Sequence, residues 1–69
     1  MPAYSPELIT IMRAVLEEAM TKVPSEQATI AIKAYLAEFI LKAAAEGVTS
    51  YEALLVAAGN QLPTILSML

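Results

Sequence analysis

Residues 26–46 read EQATIAIKAYLAEFILKAAAE, and the way this stretch distributes its apolar side chains decides the architecture. It contains neither proline nor glycine and reads as one long helix. Projected at about 100° per residue, Ile32, Leu36, Phe39 and Ala43 line one face, with Ile40 at its edge. Ile30, Ala34, Ala37, Leu41 and Ala44 repeat the same spacing and form a second seam roughly 130° further round. The rest of the circumference starts apolar at Ala28, Ala31 and Tyr35 and ends polar at Glu38 and Lys42, with Glu26, Thr29 and Lys33 as a separate polar strip. A helix at the edge of a monomeric bundle needs one apolar stripe, so two seams predict neighbours on two sides. The first seam is expected to take the other helices of the chain and the second a further copy of it. The competing account keeps every neighbour within the chain and assigns the alanines to helix propensity.

The totals favour the first account. A chain of 69 residues is one domain of the size at which a single core supplies only about 3–5 kcal/mol. The usual reinforcements are missing, because the sequence has no Cys for disulfides and no His for a conventional zinc site. At 58% hydrophobic and 16% charged, it has too few polar side chains to cover a small monomer. The net charge of −3 disfavours a polyanionic partner. Residues 28–45 approach the length of a bilayer span, but Lys33, Glu38 and Lys42 would each cost about 2.5–3.5 kcal/mol near its centre, so no membrane span is expected. The opening MPAYSPEL shows no secretory pattern, and a cytoplasmic location is the expectation.

Outward from the central stretch, Ser5-Pro6-Glu7 is a helix start, with Ser5 as N-cap and Pro6 at the first helical position. Helix 1 is expected over about 6–22, apolar through Leu8, Ile9, Met12, Val15, Leu16, Ala19, Met20 and Val23, with Glu18 and Lys22 paired one turn apart. Pro24 ends it, Ser25 caps helix 2 over 26–46, and the short connection predicts an antiparallel hairpin. Gly47 is the C′ residue, and Thr49 to Glu52 form a capping box that starts helix 3 at Ser50. Gly59-Asn60 and Pro63 predict a break, giving helices at 50–58 and 61–68. Yet Tyr51, Leu54, Leu55, Ala58, Leu62, Ile65, Leu66 and Leu69 keep one helical phase, and a single kinked helix is the alternative.

Leu41 to Val56, LKAAAEGVTSYEALLV, resembles the helix-turn-helix of DNA-binding repressors through Ala43, Gly47, Val48, Thr49 and Val56. The resemblance spans about sixteen residues and departs at Glu46, where that family carries an apolar side chain. It implies a second helix that reads bases while cations hold phosphates. No Lys or Arg follows Lys42, and a C-cap followed by a capping box accounts for the same residues.

Catalysis is not expected. Without His or Cys the commonest general base and the thiol nucleophile are missing. Glu17 and Glu18 diverge by about 100°, and Glu38, Lys42 and Glu46 read as a solvated ladder. No cofactor or metal is implied. Met12, Met20 and Met68 either fill the core or line a groove for a partner helix or a small hydrophobic ligand. The resulting expectation is an all-α chain of three to four helices, an antiparallel hairpin plus a shorter C-terminal helical segment, assembled as a homodimeric bundle. Its function is that of a non-catalytic interaction or regulatory module working through self-association or another protein, without nucleic acid or membrane. The interface is expected at Ile30, Ala34, Ala37, Leu41, Ala44, Leu62, Ile65, Leu66 and Leu69. A carrier or sensor of a small hydrophobic ligand is the alternative, and a helix-turn-helix DNA binder a distant one.

Overall fold

Ser5 opens the first helix as its chemistry predicts: in extended backbone, its side-chain oxygen accepts the Leu8 amide at 3.1 Å, and Pro6 follows at the first helical position. The computed structural model describes residues 4–67. Among these, 80% are helical, in three α-helices and one 3₁₀ turn with no strand, so the fold is all-α. The helices are α1 (Pro6–Met20), α2 (Ile30–Ala45) and α3 (Tyr51–Ser67), and a 3₁₀ turn at Ser25–Gln27 lies between the first two.

Three boundaries differ from the sequence reading. Helix α1 stops at Met20, with Thr21 as its C-cap and the Thr21 hydroxyl donating to the Glu18 carbonyl at 2.6 Å. Lys22 therefore leaves the helical ladder, and the ion pair seen among the described residues is instead Lys33 with Glu17 at 3.4 Å. Helix α2 is capped by Thr29, whose hydroxyl accepts the Ile32 amide at 3.3 Å, rather than by Ser25. The longer connection lets Val23 turn back into the core, where it is buried. Helix α3 is capped by Ser50, which accepts the Ala53 amide at 3.2 Å. The expected capping box is thereby displaced by one residue, leaving Glu52 near the positive helix end but out of register to bond back to the cap.

Between α2 and α3 the chain closes as expected around Gly47, with φ of +104°. The Gly47 amide donates to the Ala44 carbonyl at 3.1 Å and the Val48 amide to the Ala43 carbonyl at 3.0 Å, the paired bonds of a Schellman motif. Val48 then packs on the core.

The expected break at Gly59-Asn60 is absent. Helix α3 runs through it, is the longest of the three rather than a shorter segment, and holds Pro63 in its interior. Proline has no amide for the Gly59 carbonyl, which with the ring clash costs about 3 kcal/mol, and Gly59 itself costs about 1 kcal/mol relative to Ala. Against this, Leu54, Ala58, Leu62 and Ile65 are all buried on one face. A break would swing Leu62 and Ile65 out of phase, forfeiting about 1.5–3 kcal/mol for each. Packing therefore outweighs the local punctuation.

The core joins Val15 and Ala19 of α1, Ile32, Leu36, Ile40 and Ala43 of α2, and Leu54, Ala58, Leu62 and Ile65 of α3, with Val23 from the connection. No described polar or charged residue is buried. Helices α1 and α2 run antiparallel: Glu17 near the end of α1 meets Lys33 near the start of α2, and Tyr4 ahead of α1 reaches Leu41 near the end of α2. Helix α3 packs on both more extensively than they pack on each other, so it fills one side of the hairpin and leaves the other open.

Candidate functional site

The first seam of α2 serves the core through Ile32 and Leu36, both fully buried, and Ala43, while Phe39 is half-buried and lies outside the core cluster. The second divides. Ile30 is 89% exposed, Leu41 43%, Ala34 is exposed, and Ala37 is half-buried. Ala44, at the end of that seam, is buried. Of the C-terminal residues expected at an interface, Leu62 and Ile65 lie in the chain's own core and Leu66 packs half-buried against it. Leu69 lies outside the described residues, as does Met68. The surface the structure brings together is thus Ile30, Ala34, Ala37 and Leu41, at spacings of four, three and four on one helix.

Beside that surface, on the side of the hairpin away from α3, an open apolar groove of about 320 Å³ runs between α1 and α2. Ile9, Met12 and Leu16 form its α1 wall and Ala37, Ile40 and Leu41 its α2 wall, with Arg13 and Tyr4 at the rim. The Tyr4 hydroxyl donates to the Leu41 carbonyl at 3.4 Å. The sequence reading offered Met12 as a groove residue but took α1 as apolar on a single side and did not separate Ile9 or Leu16 as part of this wall. The signal was present: at about 100° per residue, Ile9 and Leu16 sit roughly 60–120° round the helix from Val15 and Ala19, too wide for one contact. Of the methionines singled out, Met12 and Met20 both pack on the core, and Met12 also lines the groove.

The site's chemistry is that of contact. Its one ionised member is Arg13, and among the described residues no group of three or more carboxylate, thiol or imidazole side chains is placed to hold a metal. The exposed start of α3, which the helix-turn-helix resemblance assigns to base reading, carries Tyr51, Glu52 and Val56 and no cation. Among the described residues no helix is long and apolar enough to cross a membrane. Comparison with protein-family models, with curated proteins and with solved structures finds no match.

Proposed function

We propose that the chain is a non-catalytic helical interaction module whose contact surface is the outer face of α2, working through self-association or a partner protein. The observation that supports this is Ile30, 89% exposed and in line with exposed Ala34 and Leu41 on a helix that gives Ile32, Leu36, Ile40 and Ala43 to the core. Scattered apolar residues on a surface need no explanation, but a row at helical spacing beside an apolar groove is a contiguous patch. Covering Ile30 alone is worth about 1.5–3 kcal/mol.

Sedimentation at low micromolar concentration tests the reading through a single substitution. The wild-type chain is expected to exceed the 7.4 kDa of one copy, and Leu41→Glu to return it to that mass with its helicity intact. A wild type that sediments as a stable monomer and recruits no protein would refute it.

The groove supports a second reading, a carrier or sensor of a small hydrophobic ligand. Its volume of about 320 Å³ falls at the low end of the range for ligand sites, about 300–1,000 Å³. It is open along one side rather than closed around an occupant, which favours a protein side chain over a carried molecule. Native mass spectrometry separates the two, since a co-purified small molecule would favour the carrier.

A further inference from the structure

Taking the self-association reading as its premise, we propose that two copies pair through α2 in antiparallel orientation, about a two-fold axis passing between Ala34 and Ala37, with Ile30 of each copy entering the α1–α2 groove of the other. A two-fold contact is isologous, so whatever projects from one copy must find its receptacle on the same face of the second. This face carries both. The projection is Ile30 at the start of α2, and the receptacle is the groove walled by Ile9, Met12, Leu16, Ile40 and Leu41 towards the end of α2. Eleven residues separate Ile30 from Leu41, about 16 Å along the helix. An antiparallel two-fold brings the two together twice. A parallel one sets projection against projection and leaves both grooves empty.

The seam's own spacing agrees. Rotation about the midpoint of Ile30 and Leu41 exchanges those two residues and also exchanges Ala34 with Ala37. Two alanines therefore meet at the centre, where small side chains let helices approach to the short end of the usual 8–10 Å separation.

Charge gives an independent reason. Glu17 of α1 is level with Lys33 of α2, to which it is paired at 3.4 Å, and Arg13 is level with Ala37 across the groove. In an antiparallel pair like edges lie together, so the same rotation carries Arg13 of one copy beside Glu17 of the other, once on each side of the axis. The opposite edge gains a match as well, because it brings the Tyr35 hydroxyl of one copy towards the Glu38 carboxylate of the second. A parallel two-fold places the two α1 edges on opposite sides of the contact, so Arg13 and Glu17 of one copy do not meet those of the other.

The absence of native cysteine makes crosslinking the direct test. Ala34→Cys and Ala37→Cys are prepared separately, equilibrated alone and as a mixture, then oxidised, while native mass spectrometry of the wild type gives the assembly state. A disulfide needs Cα atoms within about 4.4–6.8 Å. The expected result is a dimeric wild type and a mixture that crosslinks 34 to 37 faster than either variant crosslinks to itself. A dimer whose variants each crosslink to themselves faster than to one another overturns the antiparallel pairing while leaving self-association standing. A monomeric wild type overturns both, and a monomer retaining a co-purified apolar molecule would assign the groove to that molecule instead.

Discussion

The two glycines should respond to the same substitution with opposite signs. Gly47 sits at φ of +104°, where a side chain is disfavoured whatever the surrounding space, and a Cβ placed there meets nothing within 4 Å. The cost of Gly47→Ala is therefore backbone strain alone, about 1–2 kcal/mol, with no clash to enlarge it and no contact to offset it. Gly59 lies within α3 in helical backbone, and a Cβ there also meets nothing within 4 Å outside the helix's own nearby backbone. Gly59→Ala should stabilise by about 0.5–1 kcal/mol, because alanine loses less freedom on entering a helix. For a domain of this size 1 kcal/mol corresponds to about 4–8 °C in Tm. Gly47→Ala should thus lower Tm by about 4–16 °C and Gly59→Ala raise it by about 2–8 °C. Urea unfolding followed by circular dichroism, with thermal melts at matched protein concentration, reads both. Destabilisation by Gly59→Ala would refute the continuous helix, since it would mean that residue 59 does not hold helical backbone. A neutral Gly47→Ala would refute the Schellman closure between α2 and α3.

The caps separate the observed boundaries from those the sequence suggests: Ser50→Ala should cost about 1 kcal/mol and Thr49→Ala a few tenths at most, in the same urea assay. Equal losses at the two positions would mean that the capping box forms after all. In the core, Leu36→Ala should cost about 2–5 kcal/mol, comparable to the whole stability of a core this small, so the variant should lose its cooperative transition at every protein concentration. Ile30→Ala, at the most exposed large apolar side chain among the described residues, should leave monomer stability within about 0.5 kcal/mol and weaken association, visible as a loss only at high concentration.

Helix existence was legible because it rests on local chemistry. Ser5-Pro6 and Gly47 have few alternative uses, and both behave as their side chains require. The boundaries were less legible where two residues competed for one role, Ser25 against Thr29 and Thr49 against Ser50, since both hydroxyls can cap and the small preference for Ser does not decide between them. Tertiary placement chose between them, through Val23 on one side and the Gly47–Val48 closure on the other. Pro63 misled for the opposite reason. Its cost is local and visible, whereas the burial of Leu62 and Ile65 that outweighs it depends on α1 and α2 lying opposite. The candidate surface was half visible: the spacing of Ile30, Ala34, Ala37 and Leu41 could be read directly, but not which end of the C-terminal apolar run the core would absorb.

That absorption strengthens the case for a partner at α2. Had Leu62 and Ile65 stayed outside, they would have added to the apolar surface of α3, where Tyr51 and Val56 are already exposed. With both committed inward, the large side chains left on the open side of the hairpin are Ile9, Ile30 and Leu41, together with a groove between α1 and α2 that α3 does not reach. A fourth helix in the chain would have filled that groove, and the described residues supply none. A second copy brings another α2, with Ile30 at its start, to the position such a helix would take. If the proposed pairing forms, association would support folding from the side that the core leaves open: a core worth only about 3–5 kcal/mol would gain by mass action whatever the contact adds, in place of a disulfide.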